Sequence, residues 1–515
     1  MEPIVPFFDS LKKRYAYKMV TNFVNLLFAS IIISIVPRHL GPDAYGNFNY
    51  LLEFFNKTLS FFQAGTSIGF YTKLSKRLQD TKLIYIYAGF LVIIFILMML
   101  STIALLNTSF KQILWPNQRV IYILLAAILS IVTFIVQIIR YINDAYGLTA
   151  RSELQFILIK LIGIIAILCI VYFKTLNLYI FFIYNILLFL AIFIVWFTYL
   201  IKKDIVLKAR VSISKFEIIN FSRELYEYSH PLLLISLAGL IVGLGDRWLL
   251  QVFQGSEQQG YYSIAQRVGT LCLIFTGAMT PLITREFSIA HEQKDIKRIR
   301  KLFQKNIPLF YVIAAYLSIF VSCFGSELSL ILGGSEFEKA GPTLSIMALY
   351  PIHQTYGQLS GSVFLATGQT KLYRNIGVSM MIVGLITTFI FIAPNKYGGL
   401  NLGASGLALR MIIVQFIGAN IQLKYNATYL KISFIKYFTH QIIVALGLYS
   451  IVYLSRTLAL LFISNVMLTV IISGLIYTIS TLAIIYKFPR IIIMTQQELK
   501  NHLKPILSRL YSRRD

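Results

Sequence analysis

Runs of mostly apolar residues recur from Met19 to Tyr486, separated by short polar connections. An α-helix needs roughly 20 such residues to cross the hydrocarbon core of a bilayer. The pattern predicts about fourteen spans, over 18–37, 45–70, 83–106, 119–140, 153–173, 179–200, 228–252, 260–284, 306–324, 343–367, 375–394, 404–424, 434–455 and 458–486. The expected fold is an all-α polytopic membrane protein. The longest connection, 201–226, is the natural boundary between two halves.

Polar residues inside the spans keep helical phase. In the second span Asn49, Glu53, Asn56, Lys57, Ser60, Gln63 and Ser67 fall at three- and four-residue steps and make one stripe. The seventh carries Ser229, Ser236, Gly239, Gly243, Asp246, Arg247 and Gln251. The eighth carries Ser263, Gln266, Arg267, Thr270, Gly277 and Thr284. The tenth has a polar centre of His353, Gln354, Gly357, Gln358 and Gly361. Ionisable groups at membrane depth are costly, so they normally face protein or a water-filled cavity.

The two halves repeat each other. Gly41-Pro-Asp43-Ala-Tyr-Gly46-Asn-Phe48 and Gly255-Ser-Glu257-Gln-Gln-Gly260-Tyr-Tyr262 are both Gly-x-acid-x-x-Gly-x-aromatic. Ala145-Tyr-Gly147-Leu-Thr149 matches Ala366-Thr-Gly368-Gln-Thr370, and Leu176-Asn177-Leu178 matches Leu400-Asn401-Leu402. The three matches keep their order and their topological positions. The repeat unit is six spans, an even number. Both copies then share one orientation and relate by an axis along the membrane normal. The expected organisation is a six-helix bundle over 1–200, a cytoplasmic linker over 201–227, a second bundle over 228–424, two additional spans over 425–486 and a basic tail over 487–515. The bundles would face each other across a central cavity. In the repeat Glu53 aligns with Arg267 and Gln137 with Gln358. Glu53 then pairs either with Arg267 across the axis or with Lys57 one turn on.

Charge changes the picture in two ways. The net charge is +26, yet only 13% of residues are charged and 57% are hydrophobic. With the N-terminus placed in the cytoplasm, the cytoplasmic segments hold about 34 Lys and Arg and the opposite loops about 6. The basic excess therefore orients the chain, puts both termini in the cytoplasm and needs no nucleic acid. The segments 4–18 and 487–515 are basic and partly apolar, as amphipathic helices on the inner leaflet or as solvated tails. The basic stretch Lys12–Lys18 precedes the first span without a small-residue cleavage site, so an uncleaved first helix is expected.

The second effect concerns the charges within or at the edges of the spans. The cations there are Lys57, Arg119, Arg140, Lys160, Arg247, Arg267 and Arg410, against the acids Glu53, Glu153 and Asp246. Arg119, Arg140 and Glu153 can snorkel to the interface. The remainder define a candidate cationic cavity of Lys57, Lys160, Arg247, Arg267 and Arg410, with Asn49, Asn56, Gln63, Gln137, Gln266, His353 and Gln358 as polar lining. Such a cavity suits an anionic substrate, because guanidinium and ammonium groups bind phosphate well at low dielectric. Cys169, Cys272 and Cys323 have no paired spacing, the six histidines show no metal pattern, and no nucleotide-binding loop occurs. Neither catalysis nor a cofactor is expected.

The segment Val36-Pro37-Arg38-His39-Leu40-Gly41-Pro42-Asp43-Ala44-Tyr45-Gly46 resembles the first-loop signature of Wzx-type polysaccharide flippases, members of the multidrug/oligosaccharidyl-lipid/polysaccharide exporter superfamily. Asp246-Arg247-Trp248-Leu249-Leu250, then Glu257, Gly260 to Ala265 and Pro281, resemble that family's seventh and eighth spans, and Ala366 to Thr370 the loop after its tenth. The resemblance implies two six-helix bundles with a two-helix addition in a bacterial inner membrane. It implies alternating-access flipping of an undecaprenyl-diphosphate-linked oligosaccharide, as in O-antigen or capsule assembly, driven by H+ or Na+. Glu53 and Asp246 become the candidate coupling or gating carboxylates, and a polysaccharide polymerase a possible partner. Three readings compete. A peptidoglycan-precursor flippase would be expected to carry arginines in the first span, which this one lacks. A drug/cation antiporter would want an acidic cavity. A membrane glycosyltransferase or polymerase would carry a large outer loop.

Overall fold

The computed structural model describes residues 11–489, apart from 64, 79 and 207–212. The expectations for the segments 4–18 and 487–515 therefore fall largely outside the described residues. Within these residues the chain is helical throughout and contains no strand. The first helices are α1 (Leu11–Gln63), α2 (Thr66–Lys76), α3 (Lys82–Leu106), α4 (Phe110–Leu114), α5 (Val120–Ala145), α6 (Thr149–Tyr172), α7 (Leu178–Lys202) and α8 (Lys215–Leu271). They are followed by α9 (Ile274–Glu292), α10 (Ile296–Cys323), α11 (Gly325–Gly333), α12 (Gly341–Met347), α13 (Tyr350–Ala366), α14 (Thr370–Ile392), α15 (Gly403–Leu430), α16 (Phe434–Leu460) and α17 (Val466–Lys487).

Among the described residues, eleven helices are long and apolar enough to cross a membrane. The pattern predicts about fourteen spans, and bent helices account for most of the difference. α1 and α8 each hold two spans joined by one non-helical residue, Gly41 (φ 73, ψ 166) and Gly255 (φ 81, ψ −176). Only glycine takes this backbone without strain. The tenth span is divided between α12 and the 17-residue α13. The second span breaks at Gly65, which leads into α2 in a left-handed conformation, so Ser67 leaves the stripe of Asn49 to Gln63. The last span starts later than the hydropathy pattern predicts, because Asn465 caps α17 by accepting from the amides of Met467 and Leu468.

The repeat is visible in the backbone. Gly41 and Gly255 share their unusual geometry. Gly147 and Gly368 both have positive φ, as do Lys174 and Gly398, and Asp204 and Lys431. Each pair occupies matching positions in the two halves.

Two compact units divide between Gly260 and Tyr261, inside α8. The core of the first holds Phe70, Leu74, Tyr87, Tyr146, Trp196 and Leu200, joined by Phe221 and Leu225 of α8. The second is built on Phe287, Phe303, Tyr311, Tyr356, Leu423 and Tyr437. Lipid is as apolar as leucine, so hydrophobicity does not decide which face of a spanning helix turns inward. α17 makes this plain. It buries Thr469, Ser473, Tyr477 and Thr481 while Leu475, Ile479 and Leu482 stay exposed. The Tyr477 ring stacks on Tyr316 of α10 at 4.8 Å, and its hydroxyl donates to the Tyr316 carbonyl at 3.0 Å. The last two spans are thereby bonded into the second unit.

Candidate functional site

The polar stripe of α1 meets α8 within the first unit. Glu53 and Lys57 form an ion pair at 3.4 Å, the local alternative for Glu53, and both side chains stay about 40% exposed. A Cβ built on Gly243 of α8 would lie 3.0 Å from Cε of Lys57, so the lysine stem packs over that glycine. Asn49 is buried and donates to the Tyr45 carbonyl. Asn56 is exposed, and Gln63 is half-buried with its Oε1 enclosed.

One turn beyond Gly243 lies Arg247, buried at 8% exposure. Its guanidinium donates to Oε1 of Gln259 at 2.9 Å, and the Gln259 amide donates back to the Arg247 carbonyl. Gln251 donates to Ser256 Oγ at 2.9 Å. These bonds staple the two arms of α8 across the bend at Gly255. Arg247 is thus tied into the scaffold of the site. Its neighbour Asp246 lies half-buried on α8.

The two glycine bends also touch. A Cβ on Gly46 would lie 1.8 Å from the carbonyl oxygen of Ser256, and one on Gly260 would lie 2.1 Å from that of Pro42. The repeat exchanges these two contacts, since Gly46 matches Gly260 and Pro42 matches Ser256. The duplicated glycines therefore let backbone meet backbone where α1 and α8 cross. Beside them the short helix α4 ends in free carbonyls. Tyr50 of α1 donates to that of Leu114 and Trp248 of α8 to that of Ile113, each at 2.6 Å.

Other expected site residues lie apart from this cluster. Lys160 sits between α6 and α7, with its ammonium 4.8 Å from the Phe189 ring and 5.6 Å from the Phe156 ring. Gln137 is half-buried on α5. In the second unit Arg410 is buried and donates to the Gly384 carbonyl of α14 at 3.1 Å, and Gly384 has no side chain because the guanidinium fills that space. His353 packs edge-on to Phe416 at 4.9 Å with its Nδ1 enclosed. Gln358 accepts from Ser362 through its carbonyl, and Gln266 and Arg267 are half-buried on α8. Among the described residues no group of His, Cys, Asp and Glu could hold a metal ion.

At the basic end, buried Glu153 takes a 2.6 Å ion pair from Arg140, and Asp144 accepts from Lys18 at 2.7 Å and from Thr149 at 2.8 Å. The amino-terminal part of α8 is tied to α2 and α3. Lys82 donates to Glu217 at 2.5 Å, while Glu224 takes Lys73 at 2.5 Å and Arg77 at 3.3 Å. The Lys82 bond lowers the Glu217 pKa to about 2, and the Lys73 bond lowers that of Glu224.

Hydropathy and helical phase could not find Gln259, Trp248 or the α4 carbonyls, because each partner comes from another part of the chain. The duplicated Gly-x-x-x-x-Gly was the one readable signal of the crossing.

No family model matches the chain. A 215-residue stretch, 41% of this chain, is 25% identical to the probable low-salt glycan biosynthesis flippase Agl15 of Haloferax volcanii and covers 44% of that protein's length. The structure superposes on that of the lipid II flippase MurJ in an inward closed conformation, with a TM-score of 0.66 and 14% identity, over 93% of this chain and 99% of that one. It also superposes on an inward-facing multidrug resistance MATE transporter of the MOP superfamily, with a TM-score of 0.62 and 12% identity, over 81% and 98%. The chain has the fold these polytopic transporters share.

Proposed function

We propose that the protein is a secondary transporter that flips an undecaprenyl-diphosphate-linked oligosaccharide across a bacterial cytoplasmic membrane by alternating access, without catalysing a covalent reaction. Both termini and the basic loops lie on the cytoplasmic side, where the substrate is assembled. The observation that carries this reading is Lys57: a cation at membrane depth, partly exposed, packed on the bare Gly243 segment of α8 and balanced by one carboxylate, Glu53. A diphosphate offers such a lysine a stronger acceptor than a lone carboxylate, because two negative groups share the bond. Arg267, on the repeat-related helix, is the second phosphate ligand in this scheme. Lys160, Arg247 and Arg410 support the positive field from positions held by aromatic rings or carbonyls. Glu53 couples transport to H+ or Na+: neutralising it releases Lys57 for the substrate. Asp246 is the second coupling candidate, and a polysaccharide polymerase on the far side is the natural recipient. The similarity to Agl15, named as a glycan biosynthesis flippase, supports the substrate class.

The likeness to MurJ favours one rival, a peptidoglycan lipid precursor as cargo. Proteoliposomes loaded with a fluorescent polyprenyl-diphosphate oligosaccharide separate the two. The expected result is flipping of this lipid in preference to lipid II, slowed at least tenfold by Lys57→Ala and by Arg267→Ala at unchanged melting temperature. Unchanged rates in both variants would sink the phosphate-binding mechanism. Faster flipping of lipid II would transfer the protein to the rival reading.

A further inference from the structure

A cavity of about 690 Å³ opens in the first unit, bounded on the α1–α2 side by Phe62 and Thr66. Its walls are mainly apolar and come from α3 (Ile86, Phe90, Ile93) and the amino-terminal part of α8 (Phe221, Leu225, Leu233), with Ser222, Ser229 and His230 of α8 as polar members. Exposed Gly89 of α3 lines it too, and a Cβ there meets nothing within 4 Å, so the groove stands open at that point. Open apolar grooves of this kind mark sites of ligand, protein or membrane contact.

Its rim is basic. Lys73, Lys76 and Arg77 end α2 and Lys82 begins α3. Glu217 and Glu224 answer Lys73, Arg77 and Lys82. Arg77 is half exposed and shares its carboxylate with Lys73, and Lys76 is exposed. With Asp80 between α2 and α3, these four cations stand against three carboxylates. On the same α8 segment Phe216 is 72% exposed and Ile219 64%, and Tyr226, which lines the cavity, is 61% exposed. That segment precedes the membrane-crossing stretch Ser236–Leu271. Aromatic and aliphatic side chains beside lysines mark the level of lipid headgroups.

We infer that this cavity is a binding site for an anionic phospholipid of the surrounding membrane: one acyl chain lies against Phe90 and Gly89, and the headgroup phosphate rests on Lys76 and Arg77. Volume, wall chemistry and rim charge each match one part of such a lipid. The bound lipid would glue the α8 segment to α2 and α3, reinforcing the Glu217 and Glu224 ion pairs. The site is independent of the transported substrate and stands whatever the cargo.

The test uses the full chain in vesicles of phosphatidylcholine with a tenth part of phosphatidylglycerol, either lipid brominated on its acyl chains. Phe90→Trp places a fluorophore on the wall, and the wild-type signal is subtracted. Brominated phosphatidylglycerol should quench the new tryptophan at least threefold more per mole than brominated phosphatidylcholine. The preference should vanish in Phe90→Trp with Lys76→Ala and Arg77→Ala, and all quenching should fall in Phe90→Trp with Gly89→Leu, which fills the groove. Tyr85→Trp serves the same purpose if the first variant does not fold. Equal quenching by both lipids, or quenching unmoved by Gly89→Leu, would overturn the site. Free glycerol phosphate added without lipid should leave the signal unchanged, and a response to it would show an anion site rather than a lipid site.

Discussion

At the scale of single residues, the polar groups at membrane depth sort by what they touch. Arg247 and Arg410 spend their donors on a buried glutamine and on a helix carbonyl. Lys57 keeps about 40% of its side chain exposed beside Glu53. A charge held by fixed partners positions helices, whereas a charge with free surface can exchange its partner for a ligand. Glycines sort in the same way. At Gly46 an added methyl would run into the Ser256 backbone, which cannot swing aside as a side chain would. Gly46→Ala should therefore cost about 3 kcal/mol, by the logic of overpacking. Gly447 of α16 has open space around it, and Gly447→Ala should gain about 0.5–1 kcal/mol from reduced backbone freedom. Melting curves of the two variants in detergent check the contrast, and equal melting temperatures would mean that the crossing of α1 and α8 is not tightly packed.

At the scale of elements, the amino-terminal part of α8 is the most conditional piece. It is held to α2 and α3 by Glu217 and Glu224, whose pKa values lie below the usual 4.5 in the folded chain. A depressed carboxylate stabilises the fold above its unfolded pKa and loses that contribution as pH falls through the folded value. For Glu217 the window runs from 4.5 down to about 2. The hydrogen-exchange protection of 215–230, taken relative to the unprotected amide rate at each pH, should fall across that window in the wild type. In Glu217→Gln combined with Glu224→Gln that protection should already be low at pH 7 and change little with acid. Slow exchange in the double variant at neutral pH would show that apolar contacts of Phe221 and Leu225 suffice without the ion pairs. The same segment forms one wall of the lipid cavity, so its attachment and its lipid occupancy should rise and fall together.

At the scale of the whole molecule, the bends decide the topology. If α1 and α8 each cross the membrane twice, Asp43 and Ser75 must face opposite compartments. Single cysteines at Asp43→Cys and Ser75→Cys should react with an impermeant maleimide from opposite sides of sealed vesicles, and Lys294→Cys should follow Ser75→Cys. Labelling of Asp43→Cys and Ser75→Cys from one side would remove the two-span reading of α1 and with it the six-span repeat unit.

Much of this protein was legible in one dimension, because a bilayer enforces one-dimensional rules. Each helix must satisfy its own backbone and match a fixed thickness, so apolar length suffices to read most of the segments. The repeat was legible as well: the duplicated glycine motif requires the same rare backbone at Gly41 and Gly255. Which face of each helix turns inward was readable only where polar side chains made a stripe, as in α1, and even there Gly65 removed Ser67 from it. Partnership was decided by the tertiary structure alone. Arg247 and Lys57 look alike as cations in apolar runs, and only the fold brings Gln259 to the first and the bare surface of Gly243 to the second. The groove beside Gly89 is likewise invisible in the chain. Hydropathy records what each residue contributes, whereas a cavity consists of what the neighbours leave unfilled.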